Sequence, residues 1–261
     1  MNILFVGDIV GKPGRQAVVA LLPKLKRDYQ LDCIVANGEN AAHGAGITTA
    51  TANELLAAGV DVITTGDHVW DQKGFEQDIE NLSQVVRPAN IAPSAPGRGS
   101  VVINVGDKAR VGVLNLLGRV FMPNNDCPFR AAKAELAKLR RQTSIIIVDL
   151  HAEATSEKMA MGRYLDGQVS LVVGTHTHVQ TADEQVLPKG TAYLSDAGMC
   201  GPHDSVLGRD VNAVINRFVS GMPQRLEVAT DKIELCGVVV EVDEVTGLAR
   251  KIERVRMPYV P

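Results

Sequence analysis

The sequence has few aromatic residues and few cysteines among its 261 residues. Phe, Trp and Tyr make up 4% of the chain, too few to predict the aromatic platforms on which bases of single-stranded nucleic acid stack. The four cysteines lie far apart and form no CxxC pair: Cys33, Cys127, Cys200 and Cys236. This spacing favours reduced thiols in a cytosolic protein over a disulfide framework.

The chain also lacks a basic excess and a long apolar run. Lys and Arg number 27 against 30 Asp and Glu, which gives a formal net charge of −3. Affinity that rests mainly on the phosphates of long nucleic acid is therefore not expected. No apolar stretch approaches the roughly 18 residues of a membrane helix, and no basic leader or cleavage site is evident. We expect a cytoplasmic protein that does not enter a membrane.

Short β-branched apolar runs alternate with amphipathic segments over the first two-thirds of the chain. This alternation is typical of an α/β protein with a largely parallel sheet. Strands are predicted at residues 2–7, 33–37, 61–64, 101–105, 111–116, 144–150, 170–174, 191–195, 235–242 and 248–255. Helices are predicted at residues 13–28, 48–58, 71–80, 128–141, 153–166 and 208–220.

Two pairs of predicted strands are separated only by glycine-containing turns. Gly106-Asp107 and Thr246-Gly247 each join such a pair, so antiparallel hairpins interrupt the parallel pattern. We expect a mixed sheet, or two sheets packed together. Because no internal repeat or Pro/Ser linker is present, a single domain over residues 1–261 is predicted, with an irregular crossover at residues 81–100.

Polar residues able to do chemistry recur directly after the predicted strands. They fall in five segments: Gly7-Asp8, Gly38-Glu39-Asn40, Gly66-Asp67-His68, Asp149-Leu150-His151 and Gly174-Thr175-His176-Thr177-His178. Open α/β sheets form their ligand crevices at the carboxyl ends of strands. We therefore expect these side chains to lie at one sheet edge.

Each segment alone has a structural explanation. Asp8 suits a cap or turn, and a histidine at a strand exit, such as His68 or His151, often bonds only a nearby carbonyl. His176 and His178 are a stronger signal, because residues i and i+2 of extended backbone point to the same side. Together the segments form a mixed oxygen and nitrogen ligand set that suits Fe, Mn or Zn better than Mg or Ca.

This donor set is large enough for two metals that share a bridging carboxylate. Two metals about 3.5–4 Å apart lower the pKa of a bridging water and neutralise a phosphoryl group during in-line attack. The pattern therefore indicates hydrolysis of a phosphate ester by a metal-bridging hydroxide. Glycines before several of the donors would let the strand ends approach closely.

With these motifs the sequence resembles the YmdB-like branch of the calcineurin-like metallophosphoesterase superfamily. The resemblance spans nearly the whole chain and also includes Asp196-Ala197-Gly198-Met199. It implies a two-sheet αββα sandwich. It also implies iron or manganese as the metals, frequent homo-oligomers, and hydrolysis of 2′,3′-cyclic nucleotides to 3′-nucleotides.

The resemblance also implies a role for each site residue. The implied ligands of one metal are Asp8, Asn40 and His178. Those of the second metal are Asp67, His151 and His176, with Glu39 bridging the two. His68 resembles the family's catalytic histidine, a general acid for the leaving oxygen, which Asp71 would orient if it is not simply a helix cap. The family motif Gly-Asn-His reads Gly66-Asp67-His68 here, so a carboxylate replaces an amide.

Other functions fit the same sequence. A phosphomonoesterase or a hydrolase of RNA ends with the same metals would differ mainly in the pocket walls, which we expect at residues 81–100, 118–127 and 198–208. A third hypothesis is a metal-stabilised regulatory or RNA-binding protein with weak catalysis. It is suggested by the carboxylate of Asp67, which replaces the amide of the family motif. The presence of His68 favours catalysis.

Overall fold

The computed structural model describes residues 1–106 and 109–260, and its strands form two sheets. The first contains β1 (Asn2–Val6), β2 (Asp8–Ile9), β3 (Cys33–Asn37), β4 (Val62–Thr64), β5 (Val85–Val86), β12 (Met199–Pro202), β13 (Ile233–Val242) and β14 (Ala249–Pro258). The second contains β6 (Ser100–Val105), β7 (Ala109–Leu117), β8 (Ile145–His151), β9 (Leu171–Thr175), β10 (Gln185–Val186) and β11 (Ala192–Leu194).

Both sheets mix parallel and antiparallel pairs, as expected. The first has the order β2-β12-β13-β1-β3-β4-β5, with β14 also paired to β13. Strands β1, β3, β4 and β5 are parallel, whereas β13 runs antiparallel to β1 and β14. The second has the order β10-β11-β9-β8-β7-β6, with antiparallel pairs at its two ends. Both predicted hairpins form, although Asp107 in one turn lies outside the described residues.

Six α-helices are described, and most of them pack on the outer faces of the two sheets. They are α1 (Gly11–Asp28), α2 (Thr49–Ala57), α3 (Phe75–Asp78), α4 (Pro128–Leu139), α5 (Thr155–Leu165) and α6 (Val211–Ser220). Alternate residues of β1 serve two cores: Ile3 and Phe5 belong to the core between the sheets, while Leu4 belongs to the core under α1 and α2. A third core lies under α4 and α5. The expected αββα sandwich is therefore confirmed.

Several local predictions were wrong. The helix predicted at residues 71–80 is only the single turn of α3, which starts after Gly74 in a left-handed conformation and continues as a 3₁₀ turn over Ile79–Asn81. The short strands β2, β5, β10 and β12 were not predicted, because strands of two to four residues are too short to show an alternating pattern. Within the described residues, no helix is long and apolar enough to cross a bilayer.

The fold places the ends of several strands at one edge. Strands β1, β3 and β4 of the first sheet and β8 and β9 of the second all end there. The contact is direct: the Asn37 amide at the end of β3 donates to Asp149 of β8 at 3.0 Å. The side chains that follow these strands therefore share one crevice between the sheets.

One glycine in β13 is needed for close strand packing. A Cβ on Gly237 would lie 2.4 Å from the carbonyl oxygen of Phe5, whereas a Cβ on Gly112, a buried strand glycine of the other sheet, would meet only side-chain atoms at 3.3–3.5 Å. We expect Gly237→Ala to lower the free energy of unfolding by about 1–3 kcal/mol, and Gly112→Ala by under about 1 kcal/mol. Denaturant unfolding of the two variants checks this, and equal losses would contradict it.

Candidate metal centre

Four potential ligands meet in the crevice between the sheets. Single donor atoms from Glu39, Asp67, His151 and His176 all lie within 4.8 Å of one another. Glu39 follows β3, Asp67 follows β4, His151 ends β8 and His176 follows β9, so each sheet contributes two of the four. The parallel strand ends thus bring together residues that are far apart in the sequence.

The contacts of His151 show the chemistry of this cluster. Its Nε2 lies 3.1 Å from Glu39 Oε1, 3.1 Å from Asp67 Oδ1 and 3.0 Å from Nδ1 of His176. One ring nitrogen carries at most one proton, so it cannot donate to all three neighbours. A metal cation would be a common partner for all four groups, and the mixed carboxylate and imidazole set fits a first-row transition metal.

A second set of polar side chains lies beside the first. The Asp8 carboxylate is fully buried, and its Oδ1 has no hydrogen-bond partner among the described residues. The nearest cationic candidates are ring nitrogens of His178 and His151, each 3.9 Å away. Such an orphaned buried oxygen costs free energy unless something positive neutralises it, and it therefore fits a metal ligand.

Asn40 joins the two sets. Its Nδ2 lies 2.9 Å from Glu39 Oε1 and 3.2 Å from His178 Nε2. Amide nitrogen and oxygen atoms exchange places on a 180° rotation, which would present the Asn40 oxygen to a cation instead. The structure thus brings together every ligand predicted from the sequence: Asp8, Glu39, Asn40, Asp67, His151, His176 and His178.

Each histidine of the centre is held by an outer partner. The His151 Nδ1 lies 2.8 Å from the Thr175 hydroxyl, which in turn donates to Asp149 at 2.7 Å. The His176 Nε2 faces Glu153 at 3.3 Å. Such outer partners fix the tautomer and ring orientation, leaving the other nitrogen for the crevice. His178 follows the same rule, because its Nδ1 lies 3.1 Å from the Leu207 carbonyl.

Sequence reasoning missed some of these outer partners. Glu153 and Leu207 carry no motif signal, because each is an isolated residue in a loop whose path depends on tertiary packing. Thr175 and Asp149 do lie within motif segments, but their spacing does not reveal that they act in series on His151.

The buried charges alter one another's proton affinities. Burial raises the pKa of Asp8 well above its usual range. Burial also opposes ionisation of Glu39 and Asp67, but His151 outweighs it and lowers both pKa values. For His151, burial opposes protonation, but the carboxylates of Glu39, Asp67 and Asp8 outweigh it and raise the pKa well above the usual value. A cationic His151 therefore balances the carboxylates in the metal-free protein.

His68 stands apart from the four-donor cluster. Its Nδ1 lies 2.8 Å from Asp71 Oδ2, and its backbone N–H donates to Glu39 Oε2 at 3.3 Å. Its side chain is 40% exposed, in contrast to the buried ring of His151. Burial opposes protonation, but Glu39, Asp67 and Asp71 together raise the pKa of His68.

Another group of potential ligands has a structural explanation. His203, Glu234 and Cys236 lie close together on β13 and the loop after β12. However, the Arg256 guanidinium already donates to Glu234, and the His203 ring uses Nε2 toward Met199 O and Cys236 but Nδ1 toward Glu234. Burial raises the pKa of the Cys236 thiol to about 12, which disfavours the thiolate form that binds metal, so these contacts are explained without a metal.

An αββα sandwich that gathers carboxylates and histidines at its strand ends fits the class of metallophosphoesterases. The chain matches the family described as YmdB-like protein over residues 4–255, and it belongs to that family. It is 48% identical over 255 residues to a 2′,3′-cyclic-nucleotide 2′-phosphodiesterase of Bacillus subtilis (strain 168), covering 98% of this chain and 96% of that protein.

Two solved structures are similar over nearly their whole length. A hypothetical protein from Thermus thermophilus has a TM-score of 0.92 and 39% identity, covering 99% of both chains. A protein described as a novel phosphatase from Mycoplasma pneumoniae has a TM-score of 0.91 and 39% identity, covering 99% of this chain and 93% of that one. Fold and family therefore agree.

The raised pKa of His151 has a measurable consequence. A metal ligand must be deprotonated at the atom it offers, so Mn²⁺ binding to the metal-free protein should release protons near neutral pH, because the pKa values of His151 and Asp8 are both raised. Apparent Mn²⁺ affinity should then rise with pH up to the raised pKa. Calorimetric titrations in buffers of different ionisation enthalpy measure the release, and binding enthalpies independent of buffer would contradict it.

The same shift predicts how stability depends on pH. Because the folded pKa of His151 exceeds its unfolded value, its contribution is fully present below the unfolded pKa and is lost as pH rises through the folded pKa. The metal-free protein should therefore lose stability on the alkaline side. Melting temperatures measured from pH 6 to about pH 10 follow this loss.

Proposed function

We propose that the protein is a dinuclear-metal phosphodiesterase that hydrolyses 2′,3′-cyclic nucleotides to 3′-nucleotides. The observation that carries this proposal is the meeting of Glu39, Asp67, His151 and His176 in one crevice. Next to it lies an Asp8 oxygen that has no partner among the described residues. The B. subtilis relative, a 2′,3′-cyclic-nucleotide 2′-phosphodiesterase, supports the substrate class.

The two sets of donors suit two cations. Asp8, Asn40 and His178 would hold one, and Asp67, His151 and His176 the other. Glu39 would be shared, since Oε1 approaches both Asn40 and His151. When bound, the cations would lower the pKa of a water and neutralise phosphoryl charge. Iron or manganese, with zinc as a further choice, matches the donor chemistry.

His68 is suited to protonate the leaving oxygen. Hydrolysis to a 3′-nucleotide forms a bond between a water oxygen and phosphorus and breaks the bond between phosphorus and the ribose 2′-oxygen. That leaving 2′-oxygen needs a proton. Asp71 accepts from His68 Nδ1 at 2.8 Å, which directs Nε2–H of the protonated ring outward as the donor.

Asp71 also favours the protonated form of His68. Glu39 and Asp67 raise the pKa of His68 as well, but their charges would be shared with bound cations. The contact with Asp71 does not depend on the crevice, so it supports the acid form in the loaded enzyme. We further infer a cytoplasmic location from the four free cysteines, and a homo-oligomer because the family resemblance implies one.

The first test is metal content together with turnover. Protein expressed with iron or manganese should contain about two metals per chain and hydrolyse 2′,3′-cyclic AMP to 3′-AMP. Glu39→Gln should lower both, because the shared carboxylate is lost. Elemental analysis and product chromatography measure this. Turnover of phosphomonoesters or RNA ends without 3′-AMP formation would contradict the proposed substrate and favour those substrates instead. RNA binding without any turnover would contradict catalysis and favour a regulatory role.

The second test concerns His68. His68→Ala should keep its metals and slow hydrolysis of 2′,3′-cyclic AMP by roughly 10²–10⁴-fold, the usual effect of losing a general acid. The loss should be smaller for bis-p-nitrophenyl phosphate, whose leaving group needs little protonation. His43→Ala, at an exposed histidine outside the centre, is the control. Metal loss in His68→Ala would make His68 a ligand and contradict its assigned role.

A further inference from the structure

We infer that a buried ion pair between Lys158 and Asp196 positions the metal-binding segment His176-Thr177-His178. Lys158 Nζ donates to Asp196 Oδ2 at 2.7 Å, and both residues are at most 2% exposed. This inference rests on the metal-binding part of the proposed function. It gives a role to two residues that the catalytic account leaves unused.

The segment needs such support because its backbone is strained. The extended backbone predicted for this segment was wrong: β9 ends at Thr175, and His176 and His178 have φ of 96° and 64°, values that residues other than glycine rarely adopt. Such conformations persist only where surrounding contacts hold them. Thr177, between the two histidines, provides the contact: its backbone N–H and its hydroxyl donate to Asp196 Oδ2 at 3.2 and 2.8 Å.

The same carboxylate reaches the other side of the centre. Asp196 Oδ1 accepts from the Gly198 backbone N–H at 2.8 Å, and the Gly198 carbonyl accepts from the Asp8 backbone N–H at 3.0 Å. Asp8 Oδ2 in turn accepts from the His176 backbone N–H at 3.2 Å. Asp196 is therefore bonded to the segments that carry both predicted sets of ligands.

The positive charge of Lys158 compensates the negative charge of the buried Asp196 carboxylate. A carboxylate shielded from water needs a partner of opposite charge, and removing that partner leaves an uncompensated buried charge. The Lys158 side chain reaches Asp196 from α5 across Gly174, where a Cβ would lie 2.7 Å from Lys158 Cδ. The glycine of the segment Gly174-Thr175-His176 thus leaves room for the ion pair.

The test measures Mn²⁺ binding directly. Thr177→Val removes one bond to Asp196 while keeping the side-chain shape, and we expect it to weaken Mn²⁺ binding by roughly 10-fold or more, the usual effect of losing an outer-sphere partner. Thr177→Ser should restore the affinity. Lys158→Met should weaken binding at least as much, and the Thr177 variants keep the test valid if Lys158→Met does not fold.

A matched variant separates positioning from general stability. Thr191 has a buried hydroxyl that donates to Val169 O at 2.7 Å in a part of the sheet away from the centre. Thr191→Val should lower the melting temperature yet leave Mn²⁺ affinity and the electron paramagnetic resonance spectrum of bound Mn²⁺ unchanged. Thr177→Val should alter both of these readouts.

Two outcomes would overturn the inference: wild-type Mn²⁺ affinity in Thr177→Val, or equal loss of affinity in Thr191→Val. Because binding is measured without substrate, these outcomes are distinct from failure of the proposed function. Wild-type protein that binds Mn²⁺ but does not hydrolyse 2′,3′-cyclic AMP would refute the proposed reaction and leave the positioning result intact.

Discussion

The crowding of carboxylates at one edge between two sheets is the constraint on which the rest of the structure depends. Asp8, Glu39, Asp149 and Asp196 are each at most 1% exposed, and Asp67 lies beside them. Buried negative charges repel one another and lose their hydration, so each must find a positive or hydrogen-donating partner. Most contacts in the crevice provide a buried carboxylate with such a partner.

Most of these charges have a partner within the chain. Asp149 accepts from Thr64, Thr175 and Asn37, and the bonds from Thr64 and Asn37 also join the two sheets. Asp196 has Lys158, and His151 lies between Glu39 and Asp67. Asp8 is the exception, since one of its oxygens has no donor among the described residues. That imbalance is the strongest physical reason to place cations here.

The sequence was sufficient to predict which potential ligands lie together, but not which residues hold them in place. The donors Asp8, Glu39, Asp67, His151 and His176 each follow an apolar run, and parallel strand ends meet at one edge, so their convergence followed from pattern alone. The αββα sandwich itself came from the family resemblance, since hairpins alone left one mixed sheet or two equally open.

The residues that hold the ligands in place could not be predicted from the sequence, for a physical reason. Lys158 lies on α5 and Asp196 after β11, and only the packing of α5 against β9 brings them together. The helix predicted at residues 71–80 failed similarly, because Gly74 and tertiary contacts, rather than periodicity, decide where the chain turns. The local sequence pattern determines which face of its helix or strand a residue occupies. It does not determine which distant residue that side chain contacts.

Charge balance also bears on Asp67, where the family motif has an amide. His151 holds the pKa of this carboxyl well below its usual range despite partial burial, so Asp67 is an anion in the metal-free protein. A carboxylate there adds one negative charge to a site that already includes Asp8 and Glu39. The proton on His151 offsets that charge in the metal-free protein, and a bound divalent cation would offset it instead. Because either form can compensate the charge locally, Asp67 is compatible with the fold, and its effect falls on how strongly the centre attracts metal.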